Sequence, residues 1–293
     1  METEKIAETA DALVASFAEF SSCAVAFSGG VDSAVVAQAA HLALADRATA
    51  VTAISPSLSR REREVAEQVA RSIGIRHRCV QTHEMDNGAY RANRGDRCYY
   101  CKTTLYETMK TVLQFADGDV VANGTNADDL HDYRPGLQAA TEHQIWSPLA
   151  ELQLGKQEVR QLARYWGLAV ADKPASPCLA SRIAYGTEVT ETRLHRIDAA
   201  EAVIRDAGFE VVRVRCLAND AARIEVEPTQ VDSFRDVFER LSLEQRLMAL
   251  GFTEVAIEPE GYRSGRLNDD LVPLSLPTSS PRNSARQSRR AGQ

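Results

Sequence analysis

Short apolar runs alternate with amphipathic segments through the first part of the chain. The runs CAVAF, ATAVTAISP, RHRCVQT, DVVANGTN and EHQIWSPL have the length and composition of β-strands. The segments between them carry apolar residues at helical spacing, and Gly74 predicts the C-terminal end of the helix in RREREVAEQVARSIG. This alternation predicts an α/β fold with a parallel five-stranded sheet, helices on both faces and ligands at the carboxyl ends of the strands.

The pattern changes after the segment PCLASRIAYG. A helix over 191–207, strands at EVVRVRC and ARIEVE, a helix over 230–250 and a strand at TEVAIE predict a smaller α+β unit. We therefore predict a first domain over residues 1–184 and a second over 185–268. Residues 269–293 are rich in Ser, Pro and Arg and poor in large apolar side chains, which predicts a disordered tail.

Composition narrows the class of protein. A net charge of −7 disfavours nucleic acid as a partner. The chain shows neither an apolar run of about 20 residues nor a signal peptide, so we expect a cytoplasmic protein without membrane contact. Six cysteines are too few for a disulfide scaffold in a chain of 293 residues. Cys23 and Cys79 lie in apolar, strand-like runs, where cysteine usually fills space in the core.

The segment SGGVDS, residues 28–33, lies between a predicted strand and a predicted helix. Its two glycines allow close approach of backbone N–H groups to an anion, and Ser28 and Ser33 add hydroxyl donors. The segment lacks the lysine and the spacing of a Walker motif, and it is not GxGxxG. The sequence therefore predicts a phosphate-binding loop of another kind.

SGGVDS resembles the pyrophosphate loop of the N-type ATP pyrophosphatases, which cleave ATP to AMP and pyrophosphate while they adenylate a substrate. The resemblance implies that Ser28, Gly29, Gly30, Asp32 and Ser33 surround the pyrophosphate of ATP, with Mg²⁺ bridging its oxygens. It places Ser55 near the adenosine. It also places Asn126 and Asp128, in NGTNADDLHDYRPG, near ATP or magnesium, although acids in such a loop are equally typical of helix N-caps.

Three further cysteines lie in polar surroundings. Cys98 and Cys101 form a CxxC pair beside Arg97 and Lys102, and Cys178 lies in a loop at the predicted domain junction. Cationic neighbours favour the thiolate, which binds metal or attacks an electrophile. Three cysteines without a closely spaced histidine fit zinc poorly, whereas they suit a [4Fe–4S] cluster with one open iron.

The segments SGGVDS, RCYYCK, GTNADDLHDYRPG, PCLASRIAYG, ARIEVE and GYRSGRLN together resemble the LarE family of ATP-dependent sulfur transferases. That family makes the nickel-pincer cofactor by adenylating a carboxylate of pyridinium-3,5-biscarboxylic acid mononucleotide and converting it to a thiocarboxylate. The resemblance implies catalysis by Cys178, Cys98 and Cys101 as ligands of a [4Fe–4S] cluster. The alternative is a sacrificial Cys178 that gives up its own sulfur.

The mononucleotide substrate carries a phosphate, so its pocket requires fixed cations. Arg213 and Arg215 alternate along a predicted strand and are candidates to bind this phosphate. Ser181 and Arg182 follow Cys178 closely and are expected near the sulfur-transfer site. Two acids of the second unit, Glu201 and Glu225, are either metal ligands or solvated surface carboxylates.

Other functions stay open at this point. A tRNA thiolase of the same superfamily also uses CxxC motifs, an ammonia-using synthetase shares the ATP loop, and an ATP-binding module without turnover is the remaining class. The resemblance favours a homo-oligomer that contacts other proteins of cofactor synthesis.

Overall fold

The computed structural model describes residues 2–113, 116, 118–131 and 135–263. Its helices are α1 (Glu2–Ala15), α2 (Val31–Leu44), α3 (Arg60–Ile73), α4 (Gly88–Arg91), α5 (Arg97–Leu113), α6 (Pro135–Glu142), α7 (Pro148–Glu151), α8 (Lys156–Tyr165), α9 (Glu191–Asp206), α10 (Val231–Arg240) and α11 (Leu243–Ala249). Its strands are β1 (Ser22–Ala26), β2 (Ala48–Ile54), β3 (Arg76–Gln81), β4 (Asp119–Ala122), β5 (Val212–Cys216), β6 (Ala222–Val226) and β7 (Val255–Ile257).

The first sheet has four parallel strands in the order β3-β2-β1-β4. The predicted parallel α/β class is confirmed, but the predicted fifth strand at EHQIWSPL is wrong. Within the described residues this segment adds one bridge, between Ala122 and Trp146. Pro148 begins α7 two residues later, and a helix start so close to the bridge leaves no room for a longer ladder.

The inner strand β1 buries both of its faces. Along β1, Cys23 and Val25 belong to one apolar cluster, together with α1, α2 and α8, while Ala24 and Ala26 belong to another, together with α5 and α6. This alternation follows from the two-residue period of a strand covered by helices on both sides. Cys23 therefore fills the core as expected.

The edge strand β3 contradicts the expectation for Cys79. Its side chain is exposed, because β3 is the edge strand of the sheet as far as the chain is described, and Val80 is the one buried residue of this strand.

The second sheet has three strands in the order β5-β6-β7, with β5 antiparallel and β7 parallel to β6. α9, α10 and α11 supply apolar residues to the same core. The single helix predicted over 230–250 is wrong, because Ser242 adopts φ 50° between α10 and α11. This break lets Leu243 and Leu247 reach full burial in the core.

The second core reaches back across the predicted domain boundary. Leu179, Ile183 and the distant Tyr90 pack in it together with the C-terminal sheet. The division at residue 184 stays a prediction, and the predicted tail over 269–293 lies outside the described residues. No helix in the described part of the chain combines the length and the apolar character that a membrane crossing requires.

Candidate functional site

Three loops meet at the carboxyl edge of the first sheet. They follow β1, β2 and β4, and β1 lies between the other two strands. The loop after β1 contains SGGVDS, the loop after β2 contains Ser55, and the loop after β4 contains Asn126 and Asp128. Parallel strands direct these loops to the same side, so the structure brings the predicted ATP-binding residues to one edge of the sheet.

The loop after β1 is closed by its own hydroxyl groups. Ser33 Oγ donates to the Gly30 carbonyl at 3.0 Å, and the Gly30 N–H donates to Ser28 Oγ at 3.3 Å. α2 begins at Val31, directly after this turn, and no side chain of its N-cap residue Gly30 satisfies its first N–H groups. Uncapped N–H groups at the positive end of a helix form an anion-binding geometry.

Two glycines permit the close packing of this loop. Gly29 has φ +69°, and a Cβ atom there would lie 2.7 Å from Ala66 Cα in α3. A Cβ atom on Gly124, in the loop after β4, would lie 2.8 Å from the backbone nitrogen of Ser33. Both distances are shorter than real Cβ contacts, so neighbouring backbones on two sides fix the shape of the loop.

Asp32 is the acidic residue of this loop, and both of its oxygens have partners. Oδ1 accepts a hydrogen bond from Asn126 Nδ2 at 3.2 Å, and Oδ2 lies 2.5 Å from Lys156 Nζ. Asn126 is itself buried, and its Oδ1 accepts the N–H groups of Asp128 and Asp129. The loop after β4 therefore orients the carboxylate of Asp32.

Asp128 acts on the start of α8 in the structure. Its Oδ2 accepts the Lys156 N–H at 2.8 Å, and its carboxylate lies against Gly155, the N-cap residue of α8. Of the two roles predicted for this acid, the geometry supports helix capping. Contact of Asp128 with ATP stays a prediction.

The loop after β2 carries serines that organise its own turn and contact the second core. The Ser57 N–H donates to Ser55 Oγ at 3.3 Å, and Ser59 caps α3. Ser57 Oγ lies 2.5 Å from the buried Tyr90 hydroxyl. The Ser57 carbonyl accepts the N–H of Leu179, the residue after Cys178, at 2.9 Å. The predicted adenosine side of the site is thus joined directly to the Cys178 loop.

The three predicted cysteines are neighbours in the fold. Cys98 and Cys101 lie in the first turns of α5, and Cys178 directly precedes a short 3₁₀ turn at Leu179–Arg182. The charge of an ionised Cys178 raises the pKa of both Cys98 and Cys101, which places it near both thiols. The structure therefore brings together cysteines that are far apart in the chain.

Burial has a larger effect than the neighbouring cations on the pKa of the two CxxC thiols. Burial raises the pKa of Cys101 to about 12 and also raises that of Cys98, although the residue Cys98 touches solvent. Lys102 lowers the pKa of both thiols, but burial and the nearby Cys178 outweigh it. The cationic neighbours thus favour the thiolate as predicted, but desolvation opposes the charged form more strongly, so the pKa of both thiols is raised.

The cysteine set fits an iron–sulfur cluster by the chemistry of its donors. Three thiols surrounded by Arg97 and Lys102 match an anionic cluster with three cysteine ligands. In the described part of the chain, no group of three or more His, Cys, Asp or Glu side chains converges on a single metal ion. A cubane distributes its thiolates over separate irons, so convergence on one ion is not what such a site requires.

Arginines hold the backbone of the cysteine loop. Four buried guanidinium groups donate to main-chain carbonyls between residues 175 and 181, and they belong to Arg97, Arg182, Arg213 and Arg215. Arg215 reaches the Ser181 carbonyl and Arg213 that of Ala175, each at 3.0 Å. The observed hydrogen bonds show Arg182, Arg213 and Arg215 supporting the loop. Their contact with the substrate stays a prediction. Ser181 Oγ also donates to the Cys178 carbonyl at 2.7 Å.

Two buried carboxylates complete this support. Glu201 pairs with Arg182 at 2.9 Å and with Arg205 at 2.5 Å, and Glu225 pairs with Arg215 at 2.8 Å. Both carboxylates are fully buried, so the alternative of solvated surface acids is wrong. Burial alone would raise the pKa of Glu201, but Arg182 and Arg205 hold it below its usual value.

We expect Glu201→Gln to destabilise the protein by about 3–5 kcal/mol, because it leaves Arg182 buried without its counter-charge. The pKa of Glu201 is lower in the folded chain, so its stabilisation is present above the unfolded-state pKa and is lost as pH falls through the folded-state pKa. Urea unfolding measured from neutral to acidic pH should show a shallower acid limb in the variant. Glu210→Gln is the control, since its pair with Arg61 is exposed and contributes about 1 kcal/mol or less. Equal effects of the two substitutions would contradict the buried pairing.

The sequence interpretation missed three residues at this site. Lys156 contacts Asp32 from α8, and Tyr90 contacts Ser57. Glu84 is buried, its Oε2 has no hydrogen-bond partner among the described residues, and its charge raises the pKa of Cys101. Each lies in a segment without a motif, far along the chain from its partner. Only the fold brings them to the site.

One family profile and several known proteins are similar in sequence to this chain. The asparagine synthase family profile matches residues 8–120. The chain is 46% identical to an uncharacterized protein of Synechocystis over 256 residues, 87% of this chain and 95% of that protein. It is 35% identical to the pyridinium-3,5-bisthiocarboxylic acid mononucleotide synthase of Lactiplantibacillus plantarum over 267 residues, 91% of this chain and 96% of that protein.

A more distant relative matches only part of this chain. A glutamine-hydrolyzing GMP synthase component of Methanocaldococcus jannaschii is 28% identical over 197 residues, which is 62% of this chain and 62% of that protein. The match to the bisthiocarboxylic acid mononucleotide synthase extends over nearly the whole of both sequences. The chain belongs to the LarE family of ATP-dependent sulfur transferases, within the PP-loop ATP pyrophosphatase superfamily.

Proposed function

We propose that this enzyme adenylates a carboxylate of pyridinium-3,5-biscarboxylic acid mononucleotide and replaces an oxygen of that carboxylate by sulfur. The relative from Lactiplantibacillus plantarum is named for the bisthiocarboxylic acid product of such a conversion. The observation that carries the proposal is the hydrogen bond from the Leu179 N–H to the Ser57 carbonyl. It attaches the Cys178 loop to the ATP edge of the sheet, as transfer of sulfur to an adenylated group requires.

Activation comes first in this chemistry. A substrate carboxylate oxygen attacks the α-phosphorus of ATP, the α–β phosphoanhydride bond breaks, and pyrophosphate leaves with its electron pair. In this proposal the leaving pyrophosphate binds the N–H groups at the start of α2 and the hydroxyls of Ser28 and Ser33. Asp32 offers a carboxylate oxygen to the Mg²⁺ that accompanies ATP.

Sulfur transfer follows from the change of leaving group. A carboxylate resists nucleophiles because it would have to expel oxide, whereas the acyl adenylate expels AMP when sulfur attacks its carbonyl carbon. Cys178 is exposed at the site, and its loop carbonyls are held by buried arginines. This support fixes the position of the residue that delivers sulfur.

We further propose that Cys98, Cys101 and Cys178 hold a [4Fe–4S] cluster. When bound, the cluster would supply an iron with an open coordination position, where sulfur could be held for transfer. Arg97 lies near Cys98 and Cys178, and Lys102 near all three thiols, so this chain offers two cations to an anionic cluster. A homo-oligomer and contact with other proteins of cofactor synthesis remain predictions of the resemblance.

The experiment combines spectroscopy with product analysis on the full chain. Protein purified without oxygen should be brown, and its visible absorption should be lost in Cys98→Ser, Cys101→Ser and Cys178→Ser. The matched control is Cys79→Ser, since Cys79 is an exposed cysteine on β3. With the biscarboxylate mononucleotide and MgATP, the wild type should release pyrophosphate and form a thiocarboxylate detectable by mass spectrometry.

Other outcomes separate the alternatives. Colourless protein whose Cys178 has lost its sulfur after turnover would select the sacrificial route over the cluster. Retained turnover with ammonia in the triple cysteine variant would replace sulfur transfer by amidation. Tight binding of tRNA that weakens steeply with salt would favour a tRNA thiolase.

A further inference from the structure

A cavity of about 390 Å³ lies at the amino edge of the first sheet. Residues from the start of each of the four strands line it, together with the turn before β2. Cavities of about 300–1,000 Å³ are large enough for small molecules. The PP-loop follows the other end of β1, and a strand of five residues spans about 16 Å. A molecule in this cavity is therefore separate from the ATP edge of the sheet.

Strand register places two arginines of β3 on the face of the sheet that forms the cavity. Thr49 of β2 pairs with Ala24 of β1 and with Arg76 of β3. Two residues further along β2, Val51 pairs with Arg78. Paired residues of neighbouring strands direct their side chains to the same face. Both arginines therefore lie on the face of Ala24, and both line the cavity.

The arginines of the cavity offer hydrogen-bond donors to a ligand. Arg76 and Arg78 are exposed, and neither side chain forms a hydrogen bond or ion pair in the part of the chain that the structure describes. A third arginine, Arg47, is already held in place, because its Nη1 donates to the Ser21 carbonyl at 2.8 Å and to the Phe20 carbonyl at 3.3 Å. Binding by a guanidinium that is fixed beforehand loses less conformational entropy.

The acids of the cavity leave it net positive. Asp119 is already engaged, since its Oδ1 accepts Ser22 Oγ at 2.7 Å and its Oδ2 accepts the Ala116 N–H at 2.8 Å. The second acid, Asp46, precedes Arg47 in the chain, so three guanidinium groups and two carboxylates line the cavity. An excess of cations in a concave region attracts anions, and guanidinium groups match the geometry of phosphate and carboxylate oxygens.

We propose that this cavity binds a small multivalent oxyanion, which is either a phosphate ester or a polycarboxylate. Arg76 and Arg78 bind its oxygens from the edge strand, and Arg47 binds them from the turn before β2. Charges on an edge strand also deter pairing with other sheets, but that role requires neither a cavity nor a third arginine from a neighbouring segment. The inference is independent of ATP use and of sulfur transfer.

The test is calorimetric titration of the full-length protein with ribose 5-phosphate and with citrate at low salt, where screening is weak. The wild type should bind at least one of these probes, and the tighter one identifies the phosphate or the carboxylate class. Arg76→Gln should weaken this binding about ten- to a hundredfold, the effect of one charge-assisted hydrogen bond. It should leave the affinity for α,β-methylene-ATP with Mg²⁺ unchanged, because this uncleavable analogue is expected at the opposite edge of the sheet.

Arg71→Gln is the matched control, since Arg71 is an exposed arginine of α3, which packs on the other face of the sheet. It removes the same charge and should change the affinity for neither probe. Arg78→Gln is a second cavity variant and should weaken binding as Arg76→Gln does.

Three results would overturn the proposal. The first is a wild type that binds neither probe at millimolar concentration. The second is unchanged probe binding in both cavity variants, or equal weakening by Arg71→Gln. The third is a parallel loss of probe and nucleotide affinity in Arg76→Gln, which would place the probe in the PP-loop or indicate damage to the fold.

Discussion

Cys178→Ser is expected to lower thiocarboxylate formation by at least about a thousandfold while the protein still binds ATP. The substitution removes the sulfur that either coordinates the cluster or is itself transferred, and a hydroxyl replaces neither role. The fold should persist, because the loop is held through its carbonyls and through the Leu179 N–H rather than through the thiol.

The measurement is product formation with the biscarboxylate mononucleotide, next to binding of α,β-methylene-ATP by calorimetry. Cys79→Ser is the matched control, since it changes an exposed cysteine on the edge strand and should leave both readouts unchanged. Thiocarboxylate formation at the wild-type rate by Cys178→Ser would exclude Cys178 from the sulfur path.

Gly29→Ala is expected to abolish tight nucleotide binding and to destabilise the protein. The new Cβ would lie 2.7 Å from Ala66 Cα, a backbone atom of α3, so either the PP-loop or the helix must shift. Left-handed strain at φ +69° costs about 1–2 kcal/mol, and the overpacking adds about 1–3 kcal/mol. Displacement of the loop misplaces the N–H groups that bind phosphate.

Gly167→Ala provides a control of nearly equal backbone geometry. Gly167 has φ +67°, and a Cβ atom there would have no heavy atom within 4 Å, so this variant contains the strain without the clash. We expect it to lose only the strain energy in urea unfolding and to bind α,β-methylene-ATP normally. The same loss of nucleotide affinity in both variants would show that the contact with Ala66 is irrelevant to the loop.

Local chemistry made parts of the fold predictable. Gly74 ends α3 with φ +82°, as expected for a helix C-terminus that needs a left-handed residue, and Ser59 caps the start of the same helix. The helix over 230–250 was wrong because its apolar pattern continues through Ser242, where burial of Leu243 and Leu247 decides the backbone. The spacing of apolar residues identifies the buried face of a helix, but it does not show where tertiary packing interrupts that helix.

The partners of Arg213 and Arg215 at the site could likewise not be predicted from the sequence. Their spacing in VVRVRC predicts that Arg213 and Arg215 share a strand face, and both do reach toward one loop. The sequence could not reveal that the loop offers carbonyls at Ala175 and Ser181, because these acceptors belong to the backbone of a distant segment. A substrate phosphate and a main-chain carbonyl are both good partners for a guanidinium.

Residue types and short spacings were enough to predict the parallel α/β class and the turn at SGGVDS, whereas the grouping of Cys178 with Cys98 and Cys101 was implied by the family resemblance. The class and the turn depend on local backbone geometry and on donor chemistry, which neighbouring residues determine. Folding was needed to establish that burial raises the pKa of the CxxC thiols, that buried arginines support the Cys178 loop and that Lys156 faces Asp32. Those features depend on desolvation and on contacts between distant segments, which exist only once the chain has folded.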